Sequence, residues 1–182
     1  MRPLPEILAT ETVARSRLFR VEKVDLRFAN GVEVEFERVP SGGHGSVLIV
    51  PMLDADTCLL VREYAAGTHR YELGCPKGVV EAGEDPLAAA NREIMEEVGH
   101  GARRLTLLRS ATIAPGYFAH VTHLVLAEDL YPETRPGDEP EAIEVVPWRL
   151  SELDALLARP DFTEARSIAA LFLARAALAA AR

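Results

Sequence analysis

Alternating hydrophobic and polar positions in the first part of the chain predict antiparallel β structure. Between Thr12 and Val39, the segments FRVEKVDLRF and VEVEFERV interleave Val, Leu and Phe with charged residues, as half-buried strands do. Asn30-Gly31 separates the two segments and is a strong signal for a tight turn. The pattern predicts a β-hairpin, which a glycine-rich link at 41–45 joins to the remainder of the chain.

Continuous apolar runs and helical periodicity dominate after that link. SVLIVPML and TCLLVREY predict two strands, and ARRLTLLRSAT and HVTHLVLAEDL predict two more after an intervening helix. A short strand, VVPW, follows an acidic loop at 131–144, and helical spacing returns from Ser151 onward with a break at Pro160. Mixed strands around one central helix, with helices at the end, indicate an α/β fold, specifically an α/β/α sandwich with a mixed sheet.

The chain length favours one domain with an appendage. At 182 residues, we expect residues 1–45 to form an N-terminal β-hairpin extension, which serves dimerisation or substrate contact. Residues 46–182 would then form the main domain with its C-terminal helices.

The composition of the chain limits the kinds of partner that we expect it to bind. A net charge of −8 argues against a nucleic-acid-binding surface. The sequence has no apolar run of about 18 residues, so we expect no membrane span, and the N-terminus shows no secretory signal. The only two cysteines, Cys58 and Cys75, lie in apolar or glycine-rich surroundings, which favours a reduced, cytoplasmic chain over a disulfide framework.

The central helix carries the candidate chemistry. Asp85-Pro86 is a helix start, because Asp caps well and Pro fits the first helical position. Glu93, Glu96 and Glu97 then fall on one side at i, i+3 and i+4. Carboxylates so placed repel one another, and a hard divalent cation, Mg²⁺ or Mn²⁺, removes the conflict.

A solvated acidic helix face is the alternative interpretation of these glutamates. The surrounding residues argue against it, because they match a longer pattern, G-x5-E-x7-R-E-U-x-E-E-x-G, in which U is a bulky aliphatic residue. That pattern is the Nudix box, and the chain resembles the Nudix hydrolases, whose fold is an α/β/α sandwich. The matching positions are Gly78, Glu84, Arg92, Glu93, Ile94, Glu96, Glu97 and Gly99. His100 departs from the aliphatic residue that the family prefers.

The resemblance implies roles within the box. Glu93 and Glu97 are the first candidates for metal ligands, and Glu96 completes the cluster as a ligand or catalytic group. The main-chain carbonyl of Lys77 is a further expected ligand. Arg92 is placed among the catalytic residues because it can orient a neighbouring carboxylate. We expect Gly78, Glu84 and Gly99 to support the loop and helix structurally.

The acidic loop offers a general base. In related ADP-ribose pyrophosphatases a glutamate in a late mobile loop has this role, and here Gly137-Asp138-Glu139-Pro140-Glu141 occupies the same place. Glu139 and Glu141 are both candidates, and an ordinary solvated loop is the alternative.

The wider match resembles the NudE-type ADP compounds hydrolases. It covers about residues 9 to 178 and includes ETVARSRLF, AANRE-EEVG, DLYPE-GDEPE and DF-EAR-ALFL. The resemblance implies hydrolysis of ADP-ribose, NADH and diadenosine polyphosphates, with AMP released, by a Mg²⁺- or Mn²⁺-dependent homodimer. A Nudix-fold sensor that binds a nucleotide without cutting it is the alternative function. The intact box carboxylates and the lack of a basic helical module in the sequence argue against it.

Four further residues are candidate substrate contacts. Arg62 ends an apolar strand and is suited to phosphate. Phe36 and Glu37 on the hairpin are suited to stacking on adenine and hydrogen-bonding it, and ordinary core packing is the alternative for Phe36. Tyr117 follows the box at the position where relatives that act on dinucleoside polyphosphates carry a tyrosine.

Overall fold

The computed structural model describes residues 2–181, which form two compact units. The first comprises residues up to Gly43 together with Thr112–Val121, and the second comprises His44–Ala111 and the chain from Thr122 onward.

The first unit is built on a three-stranded antiparallel sheet in the order β1-β2-β3. The predicted hairpin is confirmed: β2 pairs with β3, and Gly31 takes φ = 81° in the turn between them. The sheet also contains a long first strand, β1, which the sequence pattern did not predict as a strand. The bounds are β1 Glu6–Arg15, β2 Arg20–Arg27 and β3 Glu33–Arg38.

The second unit contains two sheets and three helices. One sheet has the order β7-β4-β9-β8, with β4 parallel to β9 and antiparallel to β7. The other has the antiparallel order β10-β5-β6. The strands are β4 Ser46–Pro51, β5 Thr57–Ala65, β6 Arg70–Gly74, β7 Lys77–Val79, β8 His100–Thr112, β9 Val121–Pro132 and β10 Glu144–Arg149. The helices are α1 Pro86–Glu97, α2 Leu153–Leu157 and α3 Ala165–Ala180.

Strand β4 shows why the apolar runs lie at the centre of the fold. Leu48 and Val50 pack into one apolar core, which includes residues of α2 and α3. Val47 and Ile49 pack into a second core, which includes residues of α1. Since successive side chains of a strand point to opposite faces, a strand between two cores must be apolar throughout. The predicted α/β/α sandwich with a mixed sheet is confirmed.

Two of the strands were not expected. β6 and β7 have the sequences RYELG and KGV, which are short and lack an alternating pattern. β7 pairs with the start of β4, Val47 opposite Gly78. This pairing places the residues just before the acidic helix at the edge of the central sheet. No helix within residues 2–181 is long and apolar enough to cross a membrane.

Candidate active site

Helix α1 begins where the sequence predicts. The Asp85 side chain accepts hydrogen bonds from the main-chain N–H groups of Leu87 and Ala88, at 2.8 and 3.3 Å, and Pro86 is the first helical residue. These bonds satisfy N–H groups that have no partner within the helix. Ile94 and Val98 are buried on the side of the helix that faces the sheet core.

Two of the three glutamates of α1 are buried rather than solvated. Glu93 is 8 % exposed and Glu97 is 6 % exposed. Burial raises the pKa of both carboxyl groups, although neighbouring cations oppose the shift: Arg92 for Glu93, and Lys77 for Glu97. A buried carboxylate is costly without a compensating positive charge. The pair therefore suits a bound cation.

Arg92 organises the outer part of the acidic cluster. Its guanidinium donates to both oxygens of Glu84, at 3.0 Å each, and to the carbonyl of Val79 at 3.0 Å. The same side chain donates to Glu93 Oε1 at 2.7 Å and to Glu96 Oε2 at 3.1 Å. Glu84 also accepts from the Glu81 N–H at 3.0 Å. This network holds the loop before α1 against the helix.

The residues at the start of β7 contact the buried carboxylates directly. The main-chain N–H of Lys77 donates to Glu97 Oε2 at 3.1 Å. A Cβ added at Gly78 would overlap the carboxylate of Glu93, so a larger residue here would require that carboxylate or the turn to move. The Lys77 ammonium pairs with Glu63 of β5, a partner that the sequence did not indicate. The turn at Lys77-Gly78 and helix α1 thus form one acidic surface.

A cavity of about 440 Å³ opens at this surface. It contains Glu93 and Glu96 of α1, Gly78 of β7, and Glu139 of the acidic loop. Its lining residues are Lys77, Gly78, Val79, Glu81, Arg92, Glu93, Glu96, Pro136, Gly137, Asp138 and Glu139. Glu81, Pro136 and Asp138 were not singled out from the sequence, although they adjoin the box and the loop candidates. A larger cavity, of about 640 Å³, lies between α3 and the turn after β4 and contains none of these residues.

The structure distinguishes the two loop glutamates that are candidates for the general base. Glu139 lines the cavity, and its carboxylate lies over Gly137, where an added Cβ would overlap it. Glu141 instead accepts a hydrogen bond of 2.7 Å from the hydroxyl of Tyr71, which raises the pKa of that tyrosine. The loop therefore brings Glu139, and not Glu141, to the box carboxylates.

The predicted substrate contacts lie elsewhere in the fold. Arg62 is ion-paired with Asp161 and Glu144 and is not among the residues that line the cavity. Phe36 is 45 % exposed on β3 and packs against Phe28, with ring centroids 6.5 Å apart.

Glu37 and Tyr117 also belong to the first unit. Glu37 is exposed on β3, opposite Lys23 of β2. Tyr117 is 68 % exposed, and its carbonyl accepts from the Val39 N–H at 2.8 Å.

The site's oxygen ligands fit a hard divalent cation. Carboxylates and a main-chain carbonyl are the donors that Mg²⁺ and Mn²⁺ prefer. The approach of Gly78 to Glu93 supplies the close backbone contact that such a site needs. Within residues 2–181 no three Asp, Glu, His or Cys side chains are already arranged around one point as metal ligands. Instead, Arg92 and the Lys77 N–H donate hydrogen bonds to oxygens of all three glutamates of α1.

The chain is similar to several known proteins. Residues 5–38 match the model of the NudE-type Nudix hydrolase N-terminal domain, and residues 43–172 match the NUDIX domain. The chain is 53 % identical over 171 residues to the ADP compounds hydrolase NudE of Escherichia coli (strain K12), covering 94 % of this chain and 91 % of the relative. It is 28 % identical over 171 residues to an ADP-ribose pyrophosphatase of Bacillus subtilis (strain 168), covering 90 % and 91 %. A crystal structure of an ADP compounds hydrolase superposes with a TM-score of 0.93 at 50 % identity, covering 100 % of this chain and 97 % of the other.

Proposed function

The chain belongs to the Nudix family of hydrolases, and we propose that it cleaves the pyrophosphate link of ADP compounds and releases AMP. As a Nudix hydrolase it depends on divalent metal ions. One observation supports this most strongly: two buried carboxylates, Glu93 and Glu97, are held against the turn at Lys77-Gly78, and Glu93 lines a cavity of about 440 Å³.

The proposed substrates are ADP-ribose, NADH and diadenosine polyphosphates. The names of two relatives, an ADP compounds hydrolase and an ADP-ribose pyrophosphatase, support the ADP moiety. The site also accounts for the need for metal ions, because a cluster of carboxylates repels a diphosphate unless cations lie between the two.

We assign the cation to four groups. Glu93, Glu97 and the Lys77 carbonyl are the proposed ligands, with Glu96 as a further ligand at the cavity wall. Mg²⁺ or Mn²⁺ bound there would neutralise phosphate charge and lower the pKa of a bound water. Arg92 orients Glu93 and Glu96, and Glu84 holds Arg92 by two hydrogen bonds.

Glu139 is the proposed general base. It lines the same cavity as Glu93 and Glu96, so it is placed to accept a proton from a water that attacks a bound diphosphate. Glu141 is engaged with Tyr71 and is the weaker candidate. We therefore expect Glu139→Gln to lower kcat about 100-fold or more, within the usual range for general bases. Glu141→Gln, the matched control, should change kcat by less than about threefold. Equal losses in the two variants would reject this assignment.

Substrate recognition is proposed for the first unit and the homodimer. Phe36 and Tyr117 present exposed aromatic rings, which suit stacking on adenine. Glu37 on the same strand as Phe36 is a proposed hydrogen-bonding partner for the base, and the extension at 1–45 is the proposed dimer contact. Arg62 remains a proposed phosphate contact that would first have to leave its two carboxylate partners.

A cytoplasmic location is also proposed. Cys58 and Cys75 are free and buried, as expected of a protein in a reducing compartment.

The activity is tested by incubating the purified protein with Mg²⁺ or Mn²⁺ and ADP-ribose, NADH or diadenosine triphosphate. We expect AMP from each substrate, and no AMP above background from Glu93→Gln. Binding of these nucleotides without cleavage, unchanged by Glu93→Gln, would overturn the proposal in favour of a sensor.

A further inference from the structure

Ser167 in the first turn of α3 links that helix to the turn at the active site. The side chain is buried, with 1 % exposure. Its hydroxyl oxygen accepts a hydrogen bond of 3.0 Å from the main-chain N–H of Cys75. Cys75 is itself 1 % exposed. Since water does not reach this N–H, Ser167 supplies the partner that a buried donor requires.

Glu164 fixes the direction of the Ser167 hydroxyl. Glu164 Oε2 accepts from the Ser167 hydroxyl at 2.9 Å and from the Ser167 main-chain N–H at 2.7 Å, as a helix cap does. With its hydrogen donated to Glu164, the hydroxyl presents a lone pair to Cys75. Arg166 donates to Glu164 and also to Thr122 of β9, at 3.2 Å, so the carboxylate is anchored in turn.

The turn at 75–78 is held at each of its residues. Cys75 bonds to Ser167, and the carbonyl of Pro76 accepts from Ile49 of β4 at 2.9 Å. Lys77 then donates to Glu97, and Gly78 lies against Glu93. The last two contacts are with the carboxylates proposed to bind the cation. A shift of the turn at Cys75 would therefore displace both contacts.

The two helices lie in different layers. Leu171 and Ala170 of α3 belong to one apolar core, and Ile94 of α1 belongs to the other. Ser167 consequently acts on the α1 carboxylates through the turn between them and not by packing against α1.

We propose that Ser167, oriented by Glu164, is a positioning residue that fixes the turn at 75–78 and so sets the cation affinity of the active site. This inference rests on the proposed function, because it takes Glu93, Glu97 and the Lys77 carbonyl as the ligands. It adds Ser167 of α3 and its capping residue Glu164 to the residues that hold these ligands in place.

The test measures Mn²⁺ binding without substrate, from the electron paramagnetic resonance signal of the free ion. Ser167→Ala removes the acceptor of the Cys75 N–H. We expect it to weaken Mn²⁺ binding about tenfold, at the lower end of what loss of an outer partner of a metal ligand costs.

Leu171→Val is the matched control. Leu171 lies one helical turn further along α3 and is fully buried, so its truncation loosens the same helix while the Ser167 bond remains. We expect Leu171→Val to lower Tm in EDTA and to leave Mn²⁺ affinity within about twofold of the wild type. Equal weakening in the two variants at equal loss of Tm, or Ser167→Ala with wild-type affinity, would overturn the inference.

Two further variants keep the result decisive. If Ser167→Ala does not fold, Glu164→Ala tests the same hydroxyl, because it removes the oxygen that accepts from it, and an unchanged Mn²⁺ affinity in that variant would reject the inference. Glu93→Gln separates this inference from the proposed function. If Glu93→Gln binds Mn²⁺ with wild-type affinity, both the proposed metal site and the inference are rejected. If Glu93→Gln loses affinity but Ser167→Ala does not, only the positioning role of Ser167 is rejected.

Discussion

Replacement of Gly78 by alanine tests whether close approach of the turn to Glu93 builds the site. An alanine Cβ at this position would overlap three atoms of the Glu93 carboxylate. Either the carboxylate must leave its position, and with it the 2.7 Å bond from Arg92, or the turn must retreat from α1. Both outcomes separate the proposed ligands, so we expect kcat/KM to fall by about 100-fold or more, the upper end of the effect of disturbing a metal ligand's partners.

Gly67→Ala is the matched control, since an added Cβ there meets no atom within 4 Å. Both substitutions reduce the conformational entropy of the unfolded chain, which stabilises by about 0.4–1 kcal/mol and cancels in the comparison. The difference between the variants is the overpacking cost at Gly78, about 1–3 kcal/mol. For a chain of this length that corresponds to a difference in Tm of about 2–12 °C.

The assay combines steady-state kinetics on ADP-ribose with differential scanning calorimetry of the metal-free protein. We predict that Gly78→Ala loses activity and has a lower Tm, while Gly67→Ala retains both. A Gly78→Ala variant with wild-type kcat/KM would refute it, because the turn would then have room that the structure does not show.

Three further predictions concern other contacts. Arg92→Lys cannot donate two parallel bonds to one carboxylate, so kcat/KM should fall about tenfold or more under saturating Mn²⁺, and full activity would show that the network is dispensable. Hydrogen bonds from two arginines, Arg159 foremost, hold the pKa of Asp161 well below its usual range. Its stabilising contribution should be complete above about pH 5 and shrink progressively as pH falls toward the lowered pKa. The urea midpoints of wild type and Asp161→Asn should therefore differ more at pH 7 than at about pH 3, and an equal difference at the two pH values would contradict this. Burial raises the pKa of the Cys58 thiol to about 12 and also raises the pKa of the Cys75 thiol. At pH 8 neither thiol should therefore react with a disulfide reagent within minutes until the protein is unfolded. Prompt reaction of the folded protein would contradict this.

Local signals predicted the central elements of the fold. The apolar run of β4 indicated a buried strand, because both of its faces pack against apolar cores. Asp85-Pro86 fixed the start of α1 to the residue, since capping depends only on neighbouring atoms. The turn at Gly31 was predictable for the same reason, since its positive φ depends only on local backbone conformation.

Long-range pairing accounts for what the sequence did not show. β6 and β7 are strands because they pair with β5 and β4, and their own residues carry no alternating pattern. The helix α3 was expected to begin soon after Pro160, but it begins at Ala165, where Glu164 caps it.

The candidate site was predictable in its residue types but not in its burial. Spacing placed Glu93 and Glu97 together, yet only the approach of Gly78 and Lys77 shows that both are buried. Spacing also left Glu139 and Glu141 equivalent, and the structure distinguishes them through the bond to Tyr71, which is 70 residues away in the chain. Contacts of that kind depend on tertiary packing and leave no periodic signal.

Glu93, Glu97 and the turn at Lys77-Gly78 are proposed to hold a divalent cation for pyrophosphate hydrolysis. The most direct measurement is an anomalous-scattering map from crystals grown with Mn²⁺ and a non-hydrolysable ADP-ribose analogue. We predict a Mn²⁺ peak within coordination distance of Glu93, Glu97 and the Lys77 carbonyl, with the diphosphate on its far side. A nucleotide bound with no Mn²⁺ peak at these groups, or with the peak held by other residues, would contradict the account.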